Sequence, residues 1–330
     1  MKTEKLVYAG SVDGTSPLYA DMAWIGNGRR KPLLAVMHGF GGQSGDVAQD
    51  IRDLSAAGMF CVAPDMRGRG DSAGEWDAGG LDVHDIVDAL LAAIQKYPDE
   101  IDQTNINIVG YSGGGGNCYL AATRFPDLFH VAAPFFGISD YGLWHETRGR
   151  PDCNEVMEKA LGGEPSEKPA VYAARNTCLA AGNARATRWH IFWDEKETAC
   201  PPILNEKFIE ACHAVGLRNV TPHKSRVNNK TRWIHGYRKN QPQLGRADRI
   251  FCGEIRSAVP DLSLPISGAL TVCGYLVTRH FQVFVEDGRR GVVKIRYRLK
   301  GPKPEITIAD NPEKFKVTVS HKSPLAIFRT

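Results

Sequence analysis

Residues Gly110-Tyr111-Ser112-Gly113-Gly114 form a G-x-S-x-G pattern. It directly follows a β-branched run, Ile106 to Val109, and precedes a segment of helical character, Gly116 to Arg124. A strand-to-helix turn of this kind is crowded. It needs flanking glycines, and it lifts the serine hydroxyl above the sheet. It also places Ser112 at a helix N-terminus, where the dipole favours developing negative charge. Such a serine attacks acyl carbons once a neighbouring base takes its proton. The bland alternative is a structural Gly-rich turn, and the flanking strand and helix argue against it.

A second pattern, His38-Gly39-Phe40-Gly41-Gly42, closes the apolar run Leu33 to Met37. Acyl transfer passes through a tetrahedral oxyanion, which two preset N–H donors stabilise. The backbone amides of Phe40 and Gly113 are expected to supply them. His38 precedes the serine along the chain and is read as a brace for this turn.

These turns need a scaffold that ends strands beside helix starts. The first 255 residues alternate in that way. Apolar strand-like runs occur at Leu33 to Met37, Met59 to Ala63, Ile106 to Val109, His130 to Phe136, Arg188 to Trp193 and Val220 to His223. Helical periodicity occupies Val47 to Ala57, Leu81 to Tyr97, Gly116 to Arg124, Asn205 to Val215 and Leu244 to Ile255. Strands alternating with helices imply crossovers and a doubly wound, mostly parallel α/β sheet. The stretch from 138 to 187 is too long for a simple crossover and is expected to hold a short cap. Beyond residue 255 the helical period disappears. Short strands at Ala269 to Thr278, His280 to Val285, Val292 to Leu299, Glu305 to Ala309 and Phe315 to Ser320 suggest a small all-β domain over 256–330, a sandwich in form.

The segment Asp65-Met66-Arg67-Gly68-Arg69-Gly70-Asp71-Ser72 is similar to the D-x-R-G-x-G-x-S stretch of the α/β-hydrolases. Together with the serine turn and the His38-Gly39-Phe40 loop, it makes residues 5 to 255 resemble that superfamily. The resemblance is to the prolyl-oligopeptidase-like (peptidase family S9) and dienelactone-hydrolase-like catalytic domains in particular. It implies a triad running serine, acid, histidine along the chain. Family members show G-x-x-D-x-x-V-P after the strand that carries the acid. Aligning Pro201 puts Glu197 in that position, and Glu is an accepted substitute. Asp194, at the strand end, is the alternative acid, and Glu195 is less favoured. Trp233-Ile234-His235-Gly236-Tyr237 resembles the family's late H-G loop, which makes His235 the expected base and His223 its competitor. The resemblance requires no metal and no organic cofactor. Tyr111 and Trp144, with Phe40, are expected to line the substrate pocket. Arg148 and Arg150 are read as surface residues, with an anion-binding role as the alternative.

The resemblance implies an esterase or a peptidase. No propeller is expected ahead of the hydrolase part, and the β region is similar to, though smaller than, the jelly roll of cocaine-esterase-like hydrolases. Both features tilt the expectation towards a carboxylic ester, such as an acylated sugar or a small xenobiotic ester. The alternative is an S9-like aminopeptidase or amidase. A reading from another class is a non-catalytic binding protein on a hydrolase fold, and the presence of every triad residue type argues against it. The β region is expected to bind carbohydrate, cover the site or form a homo-oligomer interface; these alternatives stay open.

Composition narrows the rest. The 330 residues carry 41 Lys and Arg against 37 Asp and Glu, a formal net charge of +4 without a dense basic stripe, so no nucleic-acid partner is expected. No stretch approaches the ~18 apolar residues of a membrane span. Met1-Lys2-Thr3-Glu4-Lys5 is not followed by an apolar run, so a cytoplasmic location is favoured. The eight cysteines are widely spaced with no C-x-x-C pair, which suggests buried free thiols rather than a zinc or redox site.

Overall fold

The computed structural model describes residues 1–226, 235, 245–301 and 303–328. The chain opens with an antiparallel hairpin, β1 (Lys2–Tyr8) and β2 (Leu18–Trp24). Then follow β3 (Lys31–Met37), α1 (Ala48–Ala56), β4 (Phe60–Asp65), α2 (Asp82–Lys96), β5 (Ile101–Tyr111), α3 (Gly113–Arg124) and β6 (Val131–Phe135). The stretch from 138 to 187 holds α4 (Tyr141–Thr147), α5 (Pro151–Leu161) and α6 (Pro169–Ala173). The first sheet is completed by β7 (Arg188–Asp194), α7 (Pro202–Ala214), β8 (Val220–Ser225) and α8 (Arg246–Ile255). Its order is β1-β2-β4-β3-β5-β6-β7-β8, and every pairing from β4 to β8 is parallel. Central strands buried on both faces explain the unbroken apolar runs: every residue of β4 and β6 is buried.

The hairpin β1–β2 lacks such a run. In β1 only Leu6 and Tyr8 are buried, because it is an edge strand with polar residues towards solvent. The half-buried Asp21 likewise interrupts β2, so neither strand reads as an unbroken apolar run. The D-x-R-G-x-G-x-S segment is a structural joint. Arg67 is buried between Asp85 and Asp13, at 2.7 Å from each. The Asp65 carboxylate accepts the Ser44 N–H, and the Ser72 hydroxyl accepts the Tyr19 N–H at 2.9 Å.

Beyond α8 come β9 (Ser267–Cys273), β10 (Tyr275–Val277), β11 (Gln282–Val285), β12 (Val292–Arg298), β13 (Glu305–Asp310) and β14 (Val317–Ser320). The expected run Ala269 to Thr278 is two strands, broken at Gly274, whose φ of 76° lies in the left-handed region. The six strands are linked in the order β13-β12-β9-β10-β11-β14, all antiparallel, and β9 meets β10 at the single pair Cys273–Tyr275. Its own core comprises Leu270, Val272, Phe281, Val283, Val293 and Ile295. Tyr275 and Val277 instead join the core of the first sheet.

Two buried arginines weld the sheets together by donating to backbone carbonyls. Arg124 reaches Gly79 at 2.8 Å, Ala174 at 2.8 Å and Cys273 at 3.1 Å. Arg175 reaches Asp77 and Arg289 at 2.6 Å and Ala78 at 2.7 Å. Hydrogen bonds from an ionised donor are stronger than neutral ones. The cysteines are free, and all but Cys178 are buried.

Asp127 sits at the same joint and makes a pH-dependent contribution. Its Oδ2 accepts the Arg279 N–H at 2.8 Å, while burial pushes the carboxyl up to about 7. The folded value lies above the unfolded one of about 3.9. The stability it contributes is therefore full below pH 4 and is lost as pH rises through 7. Asp127→Asn keeps an acceptor for Arg279 and removes the titration. Urea unfolding is expected to show the variant gaining on the parent, by on the order of a few kcal/mol, between pH 5 and 8. Parallel pH profiles for the two proteins would refute this.

Candidate active site

The site lies where β5, β3 and β7 end beside the start of α3. Between β5 and α3 the backbone turns sharply at Ser112, with φ 57° and ψ −118°, a conformation that non-glycine residues rarely hold. The neighbours make it affordable. A Cβ on Gly110 would lie 2.2 Å from Gly114 O, and one on Gly114 would lie 2.3 Å from Met37 O. Only glycines allow strand, turn and helix to approach this closely. Ser112 N donates to Phe135 O at 3.0 Å, which ties the turn to β6.

The structure brings Ser112, His235 and Glu197 into one chain of hydrogen bonds. His235 Nε2 is 2.8 Å from Ser112 Oγ, and His235 Nδ1 is 2.8 Å from Glu197 Oε1. Glu197 Oε2 also accepts the His235 backbone N–H at 2.9 Å, and Oε1 accepts the Ala199 N–H at 2.8 Å. Burial alone would raise the Glu197 carboxyl. The hydrogen bond and charge of His235, with those two N–H groups, outweigh it and hold the carboxyl below its usual value. Glu197 is nearly covered and His235 about one third exposed, so the imidazole faces the entrance and the carboxylate lies behind it. The His235 ring packs on Phe136, with centroids 4.8 Å apart. The other residues of the expected H-G loop, Trp233, Ile234, Gly236 and Tyr237, lie outside the described residues, as does Leu244.

The competing candidates are placed elsewhere. Asp194 is fully buried and accepts the Ser225 hydroxyl at 2.6 Å and the Lys196 N–H at 2.9 Å. It links the ends of β7 and β8, while the loop beyond it carries Glu197 to the imidazole. His223 pairs with His190 at 3.0 Å and stacks on Phe192. His38 is buried, with Nδ1 3.0 Å from Gly39 O, inside the loop it was expected to brace.

The amide of Phe40 stands beside Gly113. A Cβ on Gly113 would lie 2.6 Å from Phe40 N. Both N–H groups therefore belong to one corner, at the N-terminus of α3. The Phe40 ring meets Trp76 edge-on at 4.6 Å and Trp144 at 5.2 Å. Trp144 is buried, and its indole N–H donates to Ala199 O at 2.8 Å, so it walls the site and holds the Glu197 loop at once. Tyr111 is mostly covered and packs on Phe135 and Phe136 behind the serine. Arg150 pairs with Asp152, and Arg148 is exposed.

Cys200 was not anticipated. Its sulfur is 3.7 Å from Ser112 Oγ, and it is fully buried. Nothing in its sequence context marks it, because the contact arises from the fold of the Glu197 loop. Among the described residues no group of three or more His, Cys, Asp or Glu side chains could hold a metal ion, and no helix is long and apolar enough to cross a membrane.

The model of the prolyl oligopeptidase family matches residues 47–243. No curated protein matches the chain. Among solved structures, an acylaminoacyl peptidase in complex with Z-Gly-Gly-Phe-chloromethyl ketone is similar. Its TM-score is 0.60 at 18% identity, over 78% of this chain and 42% of that one. A puromycin-hydrolyzing peptidase from Mycobacterium tuberculosis has a TM-score of 0.60 at 20% identity, over 77% of this chain and 38% of that one. An acetyl xylan esterase from Paenibacillus sp. R4 has a TM-score of 0.51 at 19% identity, over 71% of this chain and 78% of that one. The chain thus spans about two fifths of the length of the two peptidases.

Proposed function

The chain belongs to the prolyl oligopeptidase family, and from that premise we propose that it is a serine hydrolase that cleaves short-chain carboxylic esters with Ser112, His235 and Glu197. The observation that carries the reading is the unbroken relay from Ser112 Oγ through His235 to Glu197, with both links at 2.8 Å. His235 takes the hydroxyl proton as Ser112 Oγ bonds to the acyl carbon. The carbonyl oxygen becomes an oxyanion beside the Phe40 and Gly113 N–H groups, where fixed donors are worth most. His235 then returns the proton to the departing alkoxide, and the acyl group stays on Ser112. Water repeats the cycle with the same base and releases the acid. Glu197 keeps the imidazole oriented with its Nδ1 hydrogen inward and stabilises the imidazolium.

The preference for a short acyl group draws on the likeness to an acetyl xylan esterase, and acetylated sugars are one such class. The second reading, an aminopeptidase or amidase, draws on the likeness to acylaminoacyl and puromycin-hydrolyzing peptidases. Rates on 4-nitrophenyl esters from acetate to octanoate, against aminoacyl 4-nitroanilides, separate the two. We expect ester turnover that falls with acyl length and inert anilides. Faster anilide than acetate turnover would replace the ester reading with the second.

A further inference from the structure

The end of α4 meets the Glu197 loop at two points outside the relay. Trp144 Nε1 donates to Ala199 O at 2.8 Å. Gly149, just past the helix, packs against the same loop. A Cβ there would lie 2.8 Å from Ala199 O and closer still to Thr198 O. The φ of Gly149 is outside the left-handed region, so the glycine serves this close approach and not a backbone conformation. The atoms it meets are backbone oxygens, which cannot swing aside as the end of a flexible side chain can.

Those two oxygens belong to the two peptide groups that orient Glu197. A peptide group is a rigid plane with its C=O and N–H on opposite sides. The plane of Thr198 O carries the Ala199 N–H, which donates to Glu197 Oε1 at 2.8 Å. The plane of Ala199 O carries the Cys200 N–H, 3.4 Å from the same oxygen. Glu197 Oε1 is in turn the atom that meets His235 Nδ1 at 2.8 Å. Contact on the carbonyl side therefore sets where both N–H groups point. The brace is itself fixed. Trp144 is buried, Asn154 of α5 donates to His145 O at 2.9 Å, and Glu158 lies 2.6 Å from His145 Nε2. Strain introduced between α4 and the loop thus falls on the loop.

We propose that Trp144 and Gly149 are positioning residues for the acid, which set the direction of Glu197 towards His235 through the Thr198–Ala199 and Ala199–Cys200 peptides. The proposal rests on the Ser112–His235–Glu197 relay above and not on the choice of ester over amide. The substrate is therefore whichever of 4-nitrophenyl acetate and the aminoacyl 4-nitroanilides the parent turns over faster, with Ser112→Ala as the blank. Gly149→Ala is expected to lower kcat by about 10- to 100-fold, the scale on which small misplacements act, with KM nearly unchanged. Trp144→Phe keeps the ring and deletes only the N–H, so it is expected to fold and to lower kcat by about three- to tenfold. In a Glu197→Gln background each substitution is expected to cost less than about twofold, because residues acting through one group are not additive.

Equal losses in the parent and Glu197→Gln backgrounds would overturn the proposal, since they would show an effect that does not pass through the acid. So would parental kcat in both single variants. A Glu197→Gln enzyme with parental kcat would instead sink the relay reading on which the proposal stands. A second readout needs no turnover. Phenylmethanesulfonyl fluoride sulfonylates a serine whose base is in place, with loss of fluoride. Slower labelling of Ser112 in Gly149→Ala and Trp144→Phe, and no further slowing once Glu197 is Gln, supports the brace. Labelling of both single variants at the parental rate overturns it.

Discussion

Ser112→Ala is expected to lower kcat/KM for 4-nitrophenyl acetate by about 10⁴- to 10⁶-fold, the scale on which loss of a serine nucleophile acts. The geometry explains why the effect is so large. Ser112 Oγ is the atom held both 2.8 Å from His235 Nε2 and beside the Phe40–Gly113 corner. No other hydroxyl among the described residues is hydrogen-bonded to that imidazole. Cys200 Sγ, at 3.7 Å from Ser112 Oγ, is no substitute, because burial pushes its thiol far above the usual range and keeps it protonated. Alanine preserves the backbone requirements at 112, so the unfolding midpoint stays near that of the parent. His235→Ala is expected to cost a similar factor, and the double variant little more, since residues acting as one unit are not additive. A residual rate within tenfold of the parent in Ser112→Ala would exclude the mechanism.

Glu197→Gln is expected to reduce kcat by about 10³- to 10⁴-fold, whereas Asp194→Asn reduces it by less than about tenfold. All the groups facing Glu197 are donors. Oε1 meets His235 Nδ1 and Ala199 N, and Oε2 meets His235 N. A glutamine must turn its NH₂ towards one of these donors. It either forces the imidazole into the wrong tautomer or breaks the backbone anchor that holds the loop. Asp194→Asn instead weakens the bonds to Ser225 and Lys196, which set the path of the Glu197 loop. Its main effect falls on the unfolding midpoint. Parallel kcat and urea measurements on the two variants distinguish these roles, and the reverse ranking in kcat would transfer the acid role to Asp194.

The elements that were legible in the residues share a physical origin. Strands β3 to β7 are buried on both faces, so each reads as a short apolar run. Of the helices between them, α1 covers one face of the sheet and is amphipathic, whereas α3 is buried along its whole length. The edge strand β1 fails this test, since its polar side faces solvent, and Asp21 interrupts the largely buried β2. The interruption of the C-terminal strand at Gly274 was equally silent. A single glycine with positive φ looks like any other glycine until its neighbours are known.

By itself the sequence determined the serine turn and the His38–Gly42 turn. There the constraint is local: a tight strand-to-helix reversal admits glycine at fixed offsets and little else, so the spacing is visible in the chain. It also narrowed the acid to Glu197 and Asp194 and the base to His235 and His223. Only the tertiary structure decided which of each pair meets Ser112. Asp194 ends β7 and Glu197 follows three residues later, and their directions depend on Ser225 at the end of β8, on Trp144 of α4 and on the backbone of His235. Likewise Arg69 and His38 lie on two loops, Asp82 opens α2, and the three, which line one cleft, share no spacing. Their meeting depends on long-range packing, which no local pattern in the residues encodes.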